Sequence, residues 1–254
     1  MAIPRTGARR TTRPRPPIDR LSPMDRPQAT TAGVQTWRDM LSLHWPIPVD
    51  DVRRLVPPSL SIDRFDGKAY ISIVAFRSVD SRPAFAPGRF GMSWNEVNVR
   101  TYVHRDEKEP GVYMLSCDTD SLMVSLGMRV GGGLACRTSK IEHRHEDGRL
   151  DWSCERSDGP VYRATCQLGG RAGAAEPGTL EHFLCERYFL HQERPRSLWT
   201  MQIHHAPIDL ERARVLEIED GLIGALGLPE REGEPIVHYA REVKTELFLP
   251  SIRM

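Results

Sequence analysis

Lysine is scarce in this chain. Of its 35 basic residues only Lys68, Lys108, Lys140 and Lys244 are lysines, and the rest are arginines. Chemistry that needs an amine nucleophile therefore has few places to occur. Lys68 sits beside a turn and Lys108 within one, which leaves Lys140 as the single Schiff-base candidate. It lies mid-strand on the face shared by Thr138 and Glu142. A buried lysine with a depressed pKa can attack a carbonyl; the plainer reading is an exposed strand lysine beside Glu142. The five cysteines are odd in number, dispersed and without a C-x-x-C pair, which argues against a disulfide framework and a zinc ribbon and for reduced, buried thiols. No run approaches the roughly 20 apolar residues of a membrane span. The N-terminus lacks the apolar core of a secretory signal, so the expected location is the cytoplasm. There is no G-x-S-x-G elbow. GMRVGGGLACR (127–137) matches neither phosphate-loop pattern, because its glycines follow a helical segment and do not open one.

Charge is present but unevenly spread. Residues 1–35 hold seven arginines, two acids and six prolines, so this stretch is about +5 and the body about −4, against a whole-chain +1. Such a composition predicts a disordered basic tail over 1–35, read as an unstructured leader with Met24 as a candidate start, and a single domain over 36–254. A mildly acidic body argues against a nucleic-acid partner.

Periodicity then divides the body. WRDMLSLHWPIP (37–48) reads as a strand, VDDVRRLVPPSL as a short helix stopped by Pro57-Pro58, and 69–77 as a central strand apolar on both faces. GVYMLSCD (111–118) pairs with the strand before it, and DTDSLMVSLGMRV is helical with an acidic cap. Residues 136–167 form a three-stranded meander with turns at Asp147-Gly148 and Asp158-Gly159. A helix over 178–192, a strand in LWTMQIHHAPIDL, a polar helical segment to about Leu228 and a final strand, IVHYAREVKTELFL, complete the reading. About nine strands and three or four short helices without β-α alternation predict an α+β fold with a mainly antiparallel, barrel-like sheet.

WNEVNVRTYV (94–103) carries the most chemistry. Its alternation puts Glu96, Asn98, Arg100 and Tyr102 on one face and Val97, Val99, Thr101 and Val103 on the other. Arg100 can clamp a carboxylate with two hydrogen bonds, Glu96 can act as acid or base, and Tyr102 or Asn98 can polarise an oxygen. The alternatives are a solvated outer face or an internal Glu96–Arg100 ion pair. The histidines offer His143 with His145, His204-His205 with Asp209, and the isolated His44 and His238. None has a diagnostic metal-binding spacing, so no metal and no cofactor are expected.

The segments LHWPIPVDDVRRLVPPSLSIDRFDGKAYISIVAF, EVNVRTYV, GVYMLSCD, GTLEHFLCERYFL, IHHAPIDL and VHYAR together resemble, in that order, the YqjF-like family of bacterial proteins, grouped with the acetoacetate-decarboxylase-like superfamily. The resemblance covers roughly residues 36–250. It implies a closed, cone-like antiparallel β-barrel with short surrounding helices and a ligand site in the barrel interior. It also makes His44 and His238, each in a resembling segment, secondary substrate-binding candidates beside Asn98. The decarboxylase activity does not carry over. The catalytic lysine pair of true acetoacetate decarboxylases follows the helix at the position of GMRVGGGLACR, which contains no lysine.

The resulting expectation is a small-molecule-binding protein with a polar pocket, acting on a carboxylated or carbonyl compound. It is either an enzyme working by cofactor-independent acid/base chemistry through Glu96, Arg100 and Tyr102, or a non-catalytic sensor, carrier or oligomeric module. The fold analogy suggests a homo-oligomer, with no nucleic-acid or membrane partner.

Overall fold

In the computed structural model, which describes residues 17–231 and 233–253, the β-branched and aromatic runs become fourteen strands. In chain order these are β1 (Thr31–Ile47), β2 (Ser61–Ile62), β3 (Ala69–Pro83), β4 (Met92–Arg105), β5 (Lys108–Thr119), β6 (Cys136–Thr138) and β7 (Lys140–Glu146). There follow β8 (Arg149–Glu155), β9 (Val161–Gly173), β10 (Phe189–Arg194), β11 (Ser197–His204), β12 (Leu210–Asp220), β13 (Ile236–Phe248) and β14 (Ser251–Arg253). Three short helices interrupt them: α1 (Val49–Arg53), α2 (Leu122–Gly127) and α3 (Leu180–Cys185). The sheet runs β14-β11-β10-β5-β4-β3-β1-β13-β12-β9-β8-β7, with β2 branching from β4 and β6 from β5. Pairing is antiparallel except where β5 meets β10 and β6. β11 also returns to β13 through Ile203↔Leu247 and His204↔Glu246, so β11, β10, β5, β4, β3, β1 and β13 pair in a ring.

The long strands β1, β3, β4 and β13 are shared by two cores, which explains why 69–77 is apolar on both faces. Leu41, Ile73, Val97 and Val99 face the meander of β7, β8 and β9, where Leu150 and Trp152 meet them. Val74, Phe76, Tyr102 and Ala240 face the other way, toward α3, β10 and the chain leading into β12. Among the described residues no helix is long and apolar enough to cross a membrane. All five cysteines are free and buried.

The meander matches its sequence signal. Asp147 and Gly148 take φ of 50° and 72°, the doubly left-handed turn that a two-residue hairpin requires. Three expectations need correction. The helix expected over 178–192 ends at Cys185, and from Phe189 the chain is β10, because Leu190 and His191 pair with Val112 and Tyr113. The segment read as polar and helical up to about Leu228 contains β12. Its Glu, Arg and Leu favour a helix in isolation, but Ala213 and Val215 pair across to Leu168 and Cys166 on β9, and tertiary pairing overrides propensity. The body also begins earlier than residue 36. β1 starts at Thr31, Arg20 donates to the buried Asp63, and Arg26 donates to Glu246 at 2.7 and 3.0 Å. Residues 1–16 of the expected tail lie outside the described residues.

The parallel β5–β10 contact depends on a missing side chain. A Cβ on Gly111 would run into the Phe189 carbonyl, a backbone group that cannot rotate away. Gly111→Ala is expected to pry β10 from β5 and lower stability by about 1–3 kcal/mol, measured by urea denaturation. A wild-type midpoint would mean that the strands separate without strain.

Candidate functional site

Strand alternation places the polar row of β4 on the α3 side, and cross-strand register brings partners to it. Ser42 stands opposite His238, His44 opposite Ser72, and Ser72 opposite Arg100, so one row crosses β13, β1, β3 and β4. Neither face of 96–103 is an outer, solvated one. Glu96, Asn98 and Tyr102 are buried and Arg100 is half-buried. The solvated-face alternative is therefore excluded.

Tyr102 is fully engaged. Its hydroxyl donates to the Leu184 carbonyl at 3.2 Å and closes a triangle with His44 Nδ1 at 2.9 Å and Ser72 Oγ at 2.8 Å, while His44 Nδ1 and Ser72 Oγ are 2.7 Å apart. With the Tyr102 proton committed to Leu184, the Ser72 hydroxyl supplies one hydrogen to the triangle, and a second edge carries one only if His44 Nδ1 is protonated. That tautomer leaves Nε2 as a bare lone pair, and Nε2 is buried with no partner among the described residues. Burial first, then His238 and Arg100, push the His44 pKa well below its ordinary value, so the ring is neutral. The His238 ring lies 5.1 Å from it, and burial depresses its pKa as well.

Glu96 accepts from Asn98 Nδ2 at 3.1 Å and, weakly, from Trp94 Nε1 at 3.4 Å. Burial dominates its titration and raises the carboxyl to about 7, against the opposing pull of those donors and of Arg100. No hydrogen bond or ion pair engages Arg100 among the described residues, and its Nε is buried without a partner, as is Asn98 Oδ1. The Glu96–Arg100 ion pair is thus not formed. Arg100 and Asn98 instead line a narrow cavity of about 50 Å³, together with Val74, Met114, Cys185 and Arg187. Glu96 and Tyr102 are not on its wall. A larger hollow of about 620 Å³, lined by Arg129, Arg137 and Asp158, involves none of the expected site residues.

Register and packing thus bring Glu96, Asn98, Arg100, Tyr102, His44 and His238 into one region, and Lys140 is not among them. It is exposed on β7 and paired with Glu142 at 2.9 Å, and Lys68, Lys108 and Lys244 are exposed too. His143 and His145 are held elsewhere by Asp39, at 3.2 and 2.8 Å, and Asp209 is taken by Arg171. Sequence reasoning missed Ser72, Cys185 and Arg187. Ser72 was legible as the one polar residue among the apolar neighbours of its strand. Arg187 was not, because its position depends on α3. It donates to the buried Asp63 at 2.7 Å and lies over the Phe183 and Tyr102 rings, 4.2 and 4.9 Å from their centroids.

Comparison with known proteins agrees with this architecture. Residues 34–244 match the DUF2071 family, described as an uncharacterized conserved protein. The chain is 31% identical over 219 residues to the uncharacterized protein YqjF of Bacillus subtilis, covering 85% of this chain and 90% of that one. Among solved structures, the enduracididine biosynthesis enzyme MppR, complexed with the condensation product of pyruvate and imidazole 4-carboxaldehyde, superposes with a TM-score of 0.63. It is 15% identical, over 88% of this chain and 90% of that one. Acetoacetate decarboxylase from Legionella pneumophila gives a TM-score of 0.62 at 14% identity, over 89% of this chain and 88% of that one. The fold is acetoacetate-decarboxylase-like; identities this low carry the fold and nothing finer.

Proposed function

We propose that this chain, which belongs to the DUF2071 family, is a small-molecule-binding protein whose paired ring of strands acts as a β-barrel and receives a carboxylate- or carbonyl-bearing compound at Arg100 and Asn98. One observation carries the reading. A guanidinium with a buried, partnerless Nε stands on a cavity wall beside a buried, partnerless amide oxygen. Buried polar groups are nearly always satisfied, and an exception calls for a missing partner. A carboxylate accepts two parallel hydrogen bonds from a guanidinium, and a neighbouring hydroxyl or enol donates to Asn98 Oδ1. The cavity holds little more than a water or two as it stands, since one water occupies about 30 Å³. A larger guest requires one of the two lining methionines, Met40 or Met114, to move. The fold neighbour MppR is also described in complex with pyruvate, so 2-keto acids are the first class to try.

If the protein is an enzyme, its chemistry is acid/base. Glu96, raised to about 7, has the titration suited to moving a proton at neutral pH, and Arg100 fixes the anionic group. Tyr102 fixes His44 and leaves the substrate oxygen to Asn98. Schiff-base decarboxylation has no support, because all four lysines are exposed. A second reading, a non-catalytic carrier or sensor, is favoured by one fact: Asn98 lines the cavity and Glu96 does not.

The test is thermal stabilisation by a panel of small keto acids, hydroxy acids and their esters, on wild type and Arg100→Ala together. A ligand at 100 times its Kd stabilises the native state by about 2.7 kcal/mol. The expected result is that free acids raise the wild-type melting temperature, esters do so less, and Arg100→Ala shows no rise. No shift in wild type, or equal shifts in both proteins, removes the pocket reading. Glu96→Gln then separates the alternatives, because it abolishes turnover in an enzyme and leaves a carrier's binding intact.

A further inference from the structure

We propose that His44, Cys185 and His238 form a three-ligand site for a borderline-soft divalent cation of the zinc class. One nitrogen of each imidazole and the Cys185 sulfur all lie within 4.8 Å of one another. In a tetrahedral zinc site, metal–nitrogen distances of about 2.0–2.1 Å and a metal–sulfur distance of about 2.3 Å set the ligand atoms about 3.3–3.6 Å apart. The three need close in by little more than an ångström, within the reach of side-chain rotation.

Proximity alone would not distinguish a site from packed core histidines, but the hydrogen bonding around His44 does. Its ring is wholly buried, its Nδ1 is engaged by Ser72 and Tyr102, and its Nε2 has no partner among the described residues. Metal-binding histidines are oriented in this way, one nitrogen held by a protein partner and the other left for the ion. His238 is 9% exposed, and among the described residues its Nδ1 is also buried without a partner. A mixed nitrogen–sulfur set suits zinc and disfavours magnesium and calcium, which take oxygen ligands.

Cys185 coordinates a metal as its thiolate, so a thiol at this position must give up its proton on binding. Binding therefore forms a metal–sulfur bond, breaks the S–H bond and releases one proton to solvent, with no change in oxidation state. The neighbouring guanidinium of Arg100 opposes a dication and favours the thiolate, so the two effects partly offset. Three protein ligands leave one tetrahedral position, the arrangement of catalytic zinc sites. Cys185 lines the same cavity as Arg100, which places the ion at the edge of the proposed ligand site. The three residues come from β1, α3 and β13 and are far apart in the chain, so no sequence spacing announces them.

Cobalt(II) is the probe, because tetrahedral coordination by a thiolate gives a sulfur-to-metal charge-transfer band that zinc lacks. The full chain, stripped with chelator, is titrated with Co²⁺ and then with Zn²⁺. The expected result is one equivalent bound with the band, one proton released, and the band lost on zinc addition. Cys185→Ser, nearly the same size, loses the band, and Tyr102→Phe, which keeps all three ligands, weakens Co²⁺ binding by about 10–100-fold. No thiolate band in folded wild type overturns the proposal, and so does a band that survives in Cys185→Ser. Neither result touches the Arg100 ligand panel, so the two readings fail separately.

Discussion

Asp118→Ala is expected to lower stability by about 3–5 kcal/mol, seen as a large fall in the urea midpoint. Asp118 sits on β5 with its carboxylate wholly buried. It accepts from Arg156 Nε at 2.9 and 3.1 Å, from Arg156 Nη2 at 2.5 Å and from Ser139 Oγ at 2.7 Å. Arg156, whose side chain is only 4% exposed, also donates to Ser116 Oγ at 3.0 Å. The pair therefore ties β5 to the turn between β8 and β9, and so the ring of strands to the meander. Removing the carboxylate leaves a guanidinium in the interior with one hydroxyl for company. That stranded charge sets the size of the effect, more than the attraction lost. Replacing both residues together, Asp118→Leu with Arg156→Met, should cost clearly less than the two single changes summed, because no unpaired charge remains. A loss of less than about 1 kcal/mol in Asp118→Ala would mean that water reaches Arg156 and that the pair is not a structural tie.

What could be read in the sequence was local. The two Asp-Gly turns, the alternation of 94–103 and the double apolar face of 69–77 each follow from neighbouring residues, and each appears in the structure. What could not be read was set by distant segments. β12 looks helical until β9 lies beside it, and the helix beginning at Leu180 gives way to a strand because Gly111 lets the Phe189 backbone approach. The site shows the same division. Glu96, Asn98, Arg100 and Tyr102 were visible as one row, while Ser72 and Cys185 enter it only through register and through α3. The roles expected of that row also divided. Arg100 and Asn98 reach a cavity, whereas Tyr102 spends its hydroxyl on His44, Ser72 and Leu184, and alternation along a strand cannot distinguish those outcomes. Lys140, which shares no element with the row, is an exposed partner of Glu142.

Glu96 makes the second large prediction, and its sign is unusual for a carboxylate. Folding raises its pKa from 4.5 to about 7, chiefly by burial, with the nearby Asp118 adding to the rise. A group whose folded pKa lies above its unfolded value contributes its full stability below the unfolded value, and that contribution is lost as pH climbs through the folded one. Between pH 4.5 and 7 the fold must either keep the Glu96 proton or bear a buried charge, and at about 1.4 kcal/mol per pH unit this amounts to about 3 kcal/mol. Glu96→Gln keeps an acceptor for Asn98 and never ionises. It should match wild type near pH 4.5 and exceed it by about 3 kcal/mol at pH 8, read from urea midpoints across the range. The buried histidines work in the opposite direction, because their depressed pKa values favour the fold above about pH 6.5. Asp39, held at about 2 by His143 and Tyr239 against its own burial, loses its contribution only as pH falls below its ordinary value toward 2. Both effects are common to the two proteins, so the difference between their profiles isolates Glu96. Parallel profiles from pH 4 to 8 would mean that Glu96 titrates as an ordinary carboxylate. The enzymatic reading requires that loss to be present, because a carboxyl with an ordinary pKa holds no proton to give at neutral pH.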